Sequence, residues 1–287
     1  MKDYSFVDDN LIRKIVRPRD ILSRKGENGI ALVVGGSRIY HGAPLLSSLA
    51  ALRSGTDLVY TAIPKINLIS SRIYSPDLII LPFPDDKLTT GSVRRLLNTL
   101  PKKIDAAAIG MGLNASKSQP LILLIQKLLE SDSHLVIDAG ALIPEILPSI
   151  SKNDTIITPH AGEFKRLFGV SPTTKLSEQI ELVSRKAKEF DLIIVLKGYQ
   201  NIVSDGISTF VIERATPSMT VGGTGDILSG LITGFRTKYG SLHSCLLGLF
   251  FNGKAASRLS SKIGFHMLAS DLLTELPYVM KEYDAIH

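Results

Sequence analysis

Short runs of apolar, β-branched residues alternate with longer segments of helical periodicity over the first two thirds of the chain. The runs predict strands at 30–34, 58–63, 78–81, 106–110, 135–138, 155–158 and 192–196. The intervening segments predict helices at 44–54, 66–73, 91–99, 117–130, 161–168 and 176–190. Continuously apolar strands are typical of a parallel sheet that helices cover on both faces. The repeated strand–helix units therefore predict a doubly wound α/β fold with right-handed crossovers.

The pattern changes after residue 196. Two further β-branched runs, 200–203 and 209–212, flank a turn signal with Asp205-Gly206 at its centre, which predicts a β-hairpin or a pair of edge strands. After Gly225 the chain is helical in pattern, at about 226–238, 241–262 and 267–281. Because no linker-like segment and no internal repeat divides the chain, we expect residues 1–287 to form a single domain.

Composition excludes several classes of protein. The chain has 287 residues, of which 44% are apolar and 21% charged, which is too apolar for a disordered chain. Its one cysteine, Cys245, has no partner for a disulfide, so a reducing compartment is favoured. The acidic start lacks the apolar segment of a secretion signal, and no run approaches the roughly 20 apolar residues of a membrane span. We therefore expect a cytoplasmic protein without a membrane partner.

The formal charge of +6 is concentrated near the start of the chain. The segment 11–25 holds six cations and one acid: Arg13, Lys14, Arg17, Arg19, Arg24 and Lys25 against Asp20. A solvated helix face is the favoured interpretation, with attraction of a polyanionic small ligand or a subunit contact as alternatives. Because no aromatic residues or nucleic-acid module accompany these cations, we expect no nucleic-acid partner. The role of this segment stays open.

Small polar and glycine residues gather where the predicted strands end. Ligands of open α/β sheets bind beyond the carboxyl ends of the strands. The loops expected there are 35–37, 110–113, 138–140, 158–163 and 197–198, which supply glycines, Asp138, His160, Glu163 and Lys197. Each loop alone is a weak signal, but together they predict a polar site at one edge of the sheet.

The densest signal is the segment 220–230, Thr-Val-Gly-Gly-Thr-Gly-Asp-Ile-Leu-Ser-Gly. A glycine-rich turn that leads into a helix leaves the first N–H groups of the helix free, at the positive end of its dipole. Such a turn predicts an anion hole for a phosphoryl group at Gly222, Gly223, Thr224 and Gly225. Asp226 stands at its mouth. A simple helix cap is the alternative role for Asp226, but three glycines are more than a cap requires.

Two other nucleotide motifs were considered for this chain. A Walker A sequence is absent. The segment 110–115 fits the dinucleotide pattern Gly-x-Gly-x-x-Ala after a strand, and Asp138 is a candidate for its ribose-binding acid. This Rossmann oxidoreductase reading is kept as a rival, although it leaves residues 222–226 unexplained.

Six segments, in this order, resemble the ADP/ATP-dependent NAD(P)H-hydrate dehydratases of the ribokinase-like superfamily. They are 29–44 (GIALVVGGSRIYHGAP), 109–113 (IGMGL), 136–142 (VIDAGAL), 157–167 (ITPHAGEFKRL), 195–198 (VLKG) and 219–234 (MTVGGTGDILSGLITG). A sugar kinase of the superfamily would show Asp-Thr-x-Gly-Ala-Gly-Asp instead. A hydroxymethylpyrimidine or thiazole kinase tends to carry Cys where Asp226 stands. The resemblance implies a ribokinase-like, mostly parallel sheet with helices on both faces and a small hairpin or edge-strand addition.

The resemblance also implies a reaction. The 6-hydroxyl of the hydrate of NADH or NADPH is phosphorylated by ADP or ATP, with ADP favoured, and phosphate then leaves so that the dinucleotide is restored. Mg²⁺ is implied through the nucleotide phosphates and water, without a protein metal site. A homo-oligomer, in the form of a tetramer, is the assembly that the resemblance suggests. The alternative function is a small-molecule kinase of the superfamily, and a non-catalytic nucleotide sensor is a further rival.

Residue roles carried over from the family fall on the motifs above. Asp226 resembles the catalytic base, and its reference pKa of about 3.9 predicts an ionised, weakly basic carboxylate. Contacts to the hydrate are implied for Ala43, Gly112, His160 and Asp226. Contacts to the nucleotide are implied for Lys197, Gly198, Tyr199, Gln200, Asn201 and Gly225.

Structural alternatives accompany these roles. Lys197 is also readable as a solvated strand end, and His160 as a cap for the helix that begins near residue 162. Ala43 and Gly112 are small residues that suit tight packing. Asp138 is also readable as a loop anchor, and Glu163 as a support for His160, a ligand of the Mg²⁺ water shell or a first-turn acid.

Overall fold

The structure is a computed structural model that describes residues 4–84, 87–114, 118–213 and 215–285. The strands are β1 (Ser5–Phe6), β2 (Ile30–Val34), β3 (Leu58–Pro64), β4 (Ile79–Phe83), β5 (Ala106–Ile109), β6 (His134–Ile137), β7 (Ile156–Ile157), β8 (Ile193–Leu196), β9 (Gln200–Ser204) and β10 (Thr209–Glu213). The α-helices are α1 (Asp9–Ile15), α2 (Gly42–Arg53), α3 (Leu68–Tyr74), α4 (Thr90–Thr99), α5 (Ser118–Glu130), α6 (Leu147–Ile150), α7 (Ala161–Phe168), α8 (Leu176–Phe190), α9 (Thr224–Arg236), α10 (Ser241–Ile263) and α11 (Ala269–Met280). Short 3₁₀ turns span Lys65–Asn67, Ala139–Ala141, Pro144–Ile146, Pro217–Thr220 and Lys281–Tyr283.

Within the described residues, ten strands form one sheet in the order β1-β10-β9-β8-β7-β6-β5-β2-β3-β4. The strands from β8 through β4 run parallel, whereas β9 is antiparallel to both of its neighbours. The hairpin of β9 and β10 turns at Asp205-Gly206, where the Asp205 carboxylate accepts the N–H of Ile207 and of Ser208. The predicted fold class is confirmed, including the hairpin added at one side of the sheet.

Helices bury both faces of this sheet. Along β2, Ala31 and Val33 face a core shared with α1, α2, α9, α10 and α11, whereas Leu32 and Val34 face a core shared with α4, α5, α7 and α8. Alternate side chains of one strand point to opposite faces, so a strand that is covered twice needs apolar residues at every position. This requirement explains the continuous apolar runs in the sequence.

The start of the chain is the main departure from the predicted elements. Neither β1 nor α1 is predicted from the sequence. Strand β1 has two residues, both exposed, and pairs in parallel with β10. Helix α1 has seven residues, and the Asp8 carboxylate caps it by accepting the N–H of Leu11 at 2.8 Å. Both elements are too short for periodicity to reveal them.

Close packing of α2 against α9 brings the starts of both helices to the carboxyl edge of the sheet. A Cβ atom on Gly230 would lie 2.0 Å from the Ser47 carbonyl oxygen, and one on Gly234 would lie 2.0 Å from Ser54 Oγ. Glycine at these two positions therefore lets the two backbones touch. In the part of the chain that the structure describes, no helix is both long and apolar enough to cross a lipid bilayer.

Candidate active site

The first turn of α9 opens onto the carboxyl edge of the sheet. Gly223 precedes the helix with φ +100°, a conformation that side-chain-bearing residues rarely adopt. The Thr224 hydroxyl ties the turn together by donating to the carbonyl oxygens of Met219 (2.9 Å) and Val221 (3.1 Å). Among the described residues, no acceptor takes the N–H of Gly225 or Asp226. The turn thus presents free donors at the positive end of the helix, as an anion hole requires.

Asp226, the third residue of α9, faces a cavity of about 650 Å³. Ala43, Gly112, Gly222 and Gly223 also line this cavity, which we call the hydrate-side cavity after the ligand that the resemblance implies. Burial raises the pKa of Asp226 to about 7, and the Asp138 carboxylate reinforces that rise, whereas the Lys197 ammonium opposes it. The expectation of an ordinary, weakly basic carboxylate is therefore wrong, because the sequence does not reveal how far the fold removes this group from water.

A buried ion pair lies beside Asp226. The Lys197 ammonium donates to Asp138 Oδ1 at 2.7 Å and lies 3.9 Å from Glu163 Oε2. Asp138 is 1% exposed and also accepts from the Ser229 hydroxyl at 2.5 Å and from the Ala139 N–H at 2.8 Å. Burial opposes the charge on Lys197, yet the two carboxylates raise its pKa above the ordinary value. Asp138 therefore holds Lys197 and α9 in place, a larger role than the loop anchor considered from the sequence.

A second cavity, of about 250 Å³, lies on the Lys197 side of the same helix start. We call it the nucleotide-side cavity, after the contacts that the resemblance implies. Among its lining residues are Lys197, Gly198, Tyr199, Asn201, Thr224 and Gly225. Gln200, which the resemblance grouped with them, is not part of this wall, and its side-chain amide lies 3.5 Å from Glu213 Oε1. Leu249, Asn252 and Gly253 of α10 also line this wall. They were not predicted from the sequence, because they carry no motif of their own.

His160 has a clear structural role. Its Nδ1 accepts the N–H groups of Gly162 (3.0 Å) and Glu163 (3.3 Å), while Glu163 Oε2 accepts the N–H of His160 at 2.8 Å. These reciprocal bonds form a capping box at the start of α7. The imidazole is not part of the wall of the hydrate-side cavity, but Glu163 is. The helix-cap alternative for His160 thus describes its contacts in this structure.

Other lining residues of the hydrate-side cavity were missed from the sequence. Arg166 is fixed by donating to the carbonyl oxygens of Leu142 and Ala139, both at 2.9 Å. Ile39 and Tyr40 form an exposed apolar rim in the loop between β2 and α2. Their signal was available, because two large apolar residues in a short loop after a central strand are unusual unless something covers them.

The glycine loop of the dinucleotide alternative packs against a neighbouring loop. A Cβ atom on Gly110 would lie 1.9 Å from the Asp138 carbonyl oxygen, so this glycine serves the close approach of two loops. The next helix, α5, begins only at Ser118. Ala115, the last position of that motif, lies outside the described residues.

The carboxylates suit a magnesium ion that arrives with a nucleotide better than a resident metal. Within the described ranges, no group of three or more His, Cys, Asp or Glu side chains is arranged to hold a metal. Both oxygens of Asp138 are engaged by protein donors, whereas Asp226 and Glu163 both line the hydrate-side cavity. Mg²⁺ is usually held by one or two carboxylates, water and substrate phosphates, which fits this arrangement.

Comparison with known proteins places this geometry in a family. A family model described as NAD(P)H-hydrate dehydratase matches residues 31–278. The chain belongs to the NAD(P)H-hydrate dehydratase family. It is 53% identical over 277 residues to the ADP-dependent (S)-NAD(P)H-hydrate dehydratase of Nitrosopumilus maritimus, with 96% of each chain covered. It is 47% identical to the protein of the same name from Cenarchaeum symbiosum, with 98% of each covered.

A solved structure of a family member has the same fold. The ADP/ATP-dependent NAD(P)H-hydrate dehydratase of Bacillus subtilis, co-crystallised with ATP and Mg²⁺, superposes with a TM-score of 0.86 at 26% identity. The match covers 99% of this chain and 100% of that one. The predicted dehydratase family, its ribokinase-like fold and the assignment of the chain as an enzyme are confirmed, and the comparisons favour this family over the small-molecule kinase alternative.

Proposed function

We propose that this chain repairs the 6-hydroxy hydrates of NADH and NADPH by phosphorylating the hydroxyl group with ADP and eliminating phosphate. The observation that carries the proposal is the position of Asp226. Asp226 stands in the first turn of α9, where N–H groups are free, and lines the larger cavity, whereas Gly225 before it and Lys197 line the smaller one. ADP is proposed as the donor because the relatives from N. maritimus and C. symbiosum are named as ADP-dependent.

In this proposal, Asp226 takes the proton of the hydrate hydroxyl as that oxygen attacks the terminal phosphorus of ADP. The bond from this phosphorus to the bridging oxygen breaks, and AMP leaves. A carboxylate with a pKa of about 7 is well matched to this task near neutral pH. The N–H groups of Gly225 and Asp226 stabilise the charge of the phosphoryl group during its transfer. The electron pair of the ring nitrogen then expels phosphate as the C–O bond breaks, and loss of a proton from the neighbouring ring carbon forms the carbon–carbon double bond again. Phosphate leaves far more readily than hydroxide, which is why phosphorylation precedes elimination.

Lys197 is proposed as the cation that receives the nucleotide phosphates. Asp138 and Glu163 keep it charged and directed toward the start of α9, so it needs little reorganisation when the nucleotide binds. Gly198, Tyr199 and Asn201 are proposed to line the nucleotide itself. Gln200, the first residue of β9, lies outside the cavity wall, so its proposed role is to position its neighbours Tyr199 and Asn201.

On the hydrate side, the proposed contacts are Ala43, Gly112 and Asp226, with His160 acting through Glu163. Gly112 has φ +66°, and a Cβ there would lie 2.7 Å from the Tyr40 carbonyl oxygen and 3.2 Å from the Ala43 Cβ, so glycine lets these two loops pack together in the cavity wall. Mg²⁺, when bound with the nucleotide, would neutralise phosphate charge, and Glu163 and Asp226 are the carboxylates of the cavity wall that would hold it.

The direct test is incubation of the purified full chain with NADH hydrate and Mg²⁺, with ADP, with ATP or with no nucleotide. Recovery of NADH absorbance that requires nucleotide, with release of one phosphate per NADH, is the expected result. A stable phosphorylated product without NADH recovery would instead identify a kinase. Nucleotide binding without turnover of any hydrate would identify a sensor.

Assembly, extent and location are further proposals. We propose a homo-oligomer, a tetramer by family resemblance, in which α3 contributes to a contact between copies. Ile69 and Ile73 on this helix are 74% and 80% exposed, which is unusual for apolar side chains that have no partner. Light scattering of the wild type and of Ile73→Glu tests this, since a lone chain in both would refute it.

The single sheet supports one domain over 1–287, and the unpaired, buried Cys245 supports a cytoplasmic location.

A further inference from the structure

A third cavity, of about 430 Å³, lies at the opposite ends of α2 and α9 from Asp226. Its wall includes four cations, which are Arg17, Arg19, Arg53 and Lys238. Arg17 and Arg19 belong to the basic segment 11–25, to which the proposed reaction gives no role. Helix α2 has 12 residues, so its two ends are about 18 Å apart, and this cavity is separate from the catalytic one.

The wall of this cavity carries more positive charge than the neighbouring carboxylates neutralise. Arg19 pairs with Asp57 at 2.9 Å, and the second oxygen of Asp57 is occupied by the N–H groups of Gly26 and Asn28. Within the described part of the chain, Arg17, Arg53 and Lys238 have no carboxylate within 4 Å. Asp284 is the acid on the wall, and it pairs with none of the four cations.

Helix termination accounts for part of this cluster. Arg19 Nη1 and Lys238 Nζ both donate to the Gly55 carbonyl oxygen at 3.3 Å, beyond the end of α2. Arg17 Nη1 lies 3.5 Å from the Lys238 carbonyl oxygen, beyond the end of α9. These contacts satisfy carbonyl groups at the negative ends of two helices. They leave Arg53 without a hydrogen bond to any described residue, although its side chain lines the cavity.

The lowered pKa of Lys238 also supports an anion site in this cavity. Burial lowers the pKa of Lys238, and the neighbouring Arg19 lowers it further, whereas Asp57 raises it. A half-buried ammonium beside other cations is a group that an incoming anion would stabilise.

The remaining wall is apolar. Val16, Pro277 and Met280 are partly exposed there, and the buried residues Tyr239 and Phe251 also line the wall. A cavity with cations on one side and apolar groups on the other fits a ligand that has an anionic end and a non-polar body.

We propose that this cavity is a second ligand site, for an organic phosphate whose phosphate group binds Arg53, Arg17 and Lys238 and whose apolar body lies on Val16, Pro277 and Met280. Arginine and lysine together recognise phosphate through charge-assisted hydrogen bonds. The site is independent of the proposed dehydration, since it shares no residue with the catalytic cavities.

The test uses phenyl phosphate and inorganic phosphate, which carry the same group with and without an apolar body. Affinity is measured on the full chain by the shift of the unfolding midpoint and by calorimetry, at constant ionic strength. The variants are Arg53→Gln, Lys238→Gln and, as a matched control, Arg72→Gln. Arg72 is an exposed cation in the last turn of α3, away from the cavity. The catalytic anion hole is present in every variant, so its own phosphate binding cancels in the comparison.

We expect phenyl phosphate to bind more tightly than inorganic phosphate, and Arg53→Gln to weaken it about tenfold, the usual effect of losing one charged hydrogen bond. Lys238→Gln should weaken it as well, and Arg72→Gln should not. Because Arg53 has no hydrogen bond to any residue that the structure describes, its variant should fold as the wild type does. Unchanged affinity in both cavity variants, or equal affinity for the two phosphates, would overturn the proposal.

Discussion

Glycines serve opposite purposes at the start and in the middle of α9. At the start, Gly222 has open space where its Cβ would be, and the nearest group to a Cβ on Gly225 is the Lys197 ammonium at 3.6 Å. In the middle, a Cβ on Gly230 would lie 2.0 Å from the Ser47 carbonyl oxygen of α2. Gly222 and Gly225 keep space for a ligand, whereas Gly230 keeps two helices in contact. A motif rich in one residue type therefore combines chemistry with packing.

The comparison also separates activity from stability along a single helix. Changes at Gly222, Gly225 and Asp226 should affect catalysis and leave the fold intact, because these residues line the two cavities. Changes one or two turns later should unfold the protein before they affect its chemistry.

The largest expected effect is on catalysis, from Asp226→Asn. Loss of the general base should lower kcat by about 10²–10⁴ with the fold retained. Asp271→Asn is the matched control, because Asp271 is the third residue of α11 and its carboxylate accepts the N–H of Leu268 at 2.7 Å in a capping box. Steady-state dehydration rates of both variants check this. If Asp226→Asn keeps wild-type activity, the assignment of the base fails.

The next effect contrasts Gly230→Ala with Gly222→Ala. The Gly230 variant should lose about 2–4 kcal/mol of unfolding free energy, since the clash with α2 outweighs the roughly 1 kcal/mol that alanine gains in a helix. The Gly222 variant should stay within about 0.5 kcal/mol of the wild type and raise KM for the hydrate. Urea unfolding and steady-state kinetics measure the two quantities. Equal losses of stability in both variants would refute the contrast.

A smaller effect concerns stability and pH at Asp226. Because the folded state raises the pKa of this carboxyl from 3.8 to about 7, its contribution to stability is complete below pH 3.8 and is lost as the pH rises through 7. Asp226→Asn should therefore be more stable than the wild type at pH 8, by about 1–3 kcal/mol after allowance for partial exposure. Unfolding free energies at pH 5 and pH 8 measure this, and a difference that does not grow with pH would contradict it.

The smallest effect is a displacement of the pH profile. The acid limb of kcat/KM should lie near pH 7, where Asp226 loses its proton. The Asp138 carboxylate raises that pKa, so Asp138→Asn should move the limb to lower pH, and Glu163→Gln should do so to a lesser extent. Profiles of the three proteins check this order. A limb that stays in place or moves upward would show that Asp138 acts only on Lys197.

Much of this architecture was predictable because local patterns repeat. The strands from β2 through β10 and the longer helices lie within about two residues of their predicted bounds, since buried parallel strands and amphipathic helices leave clear signatures. The glycine turn and Asp226 were also found, as a glycine-rich segment before a helix has few other uses. Short elements such as β1 and α1 escaped because a few residues carry no period.

What the sequence by itself determined is the order of strands and helices, the family, and the helix start that carries Asp226. What only the tertiary structure decided is the surroundings of those groups. Asp138 and Lys197 are separated by 59 positions and become a buried pair, and Arg53 joins Arg17 and Lys238 around one cavity. Burial and the distances between charges depend on contacts across the whole chain. For that reason the pKa of Asp226 and the basic cavity emerged only when the fold brought distant residues together.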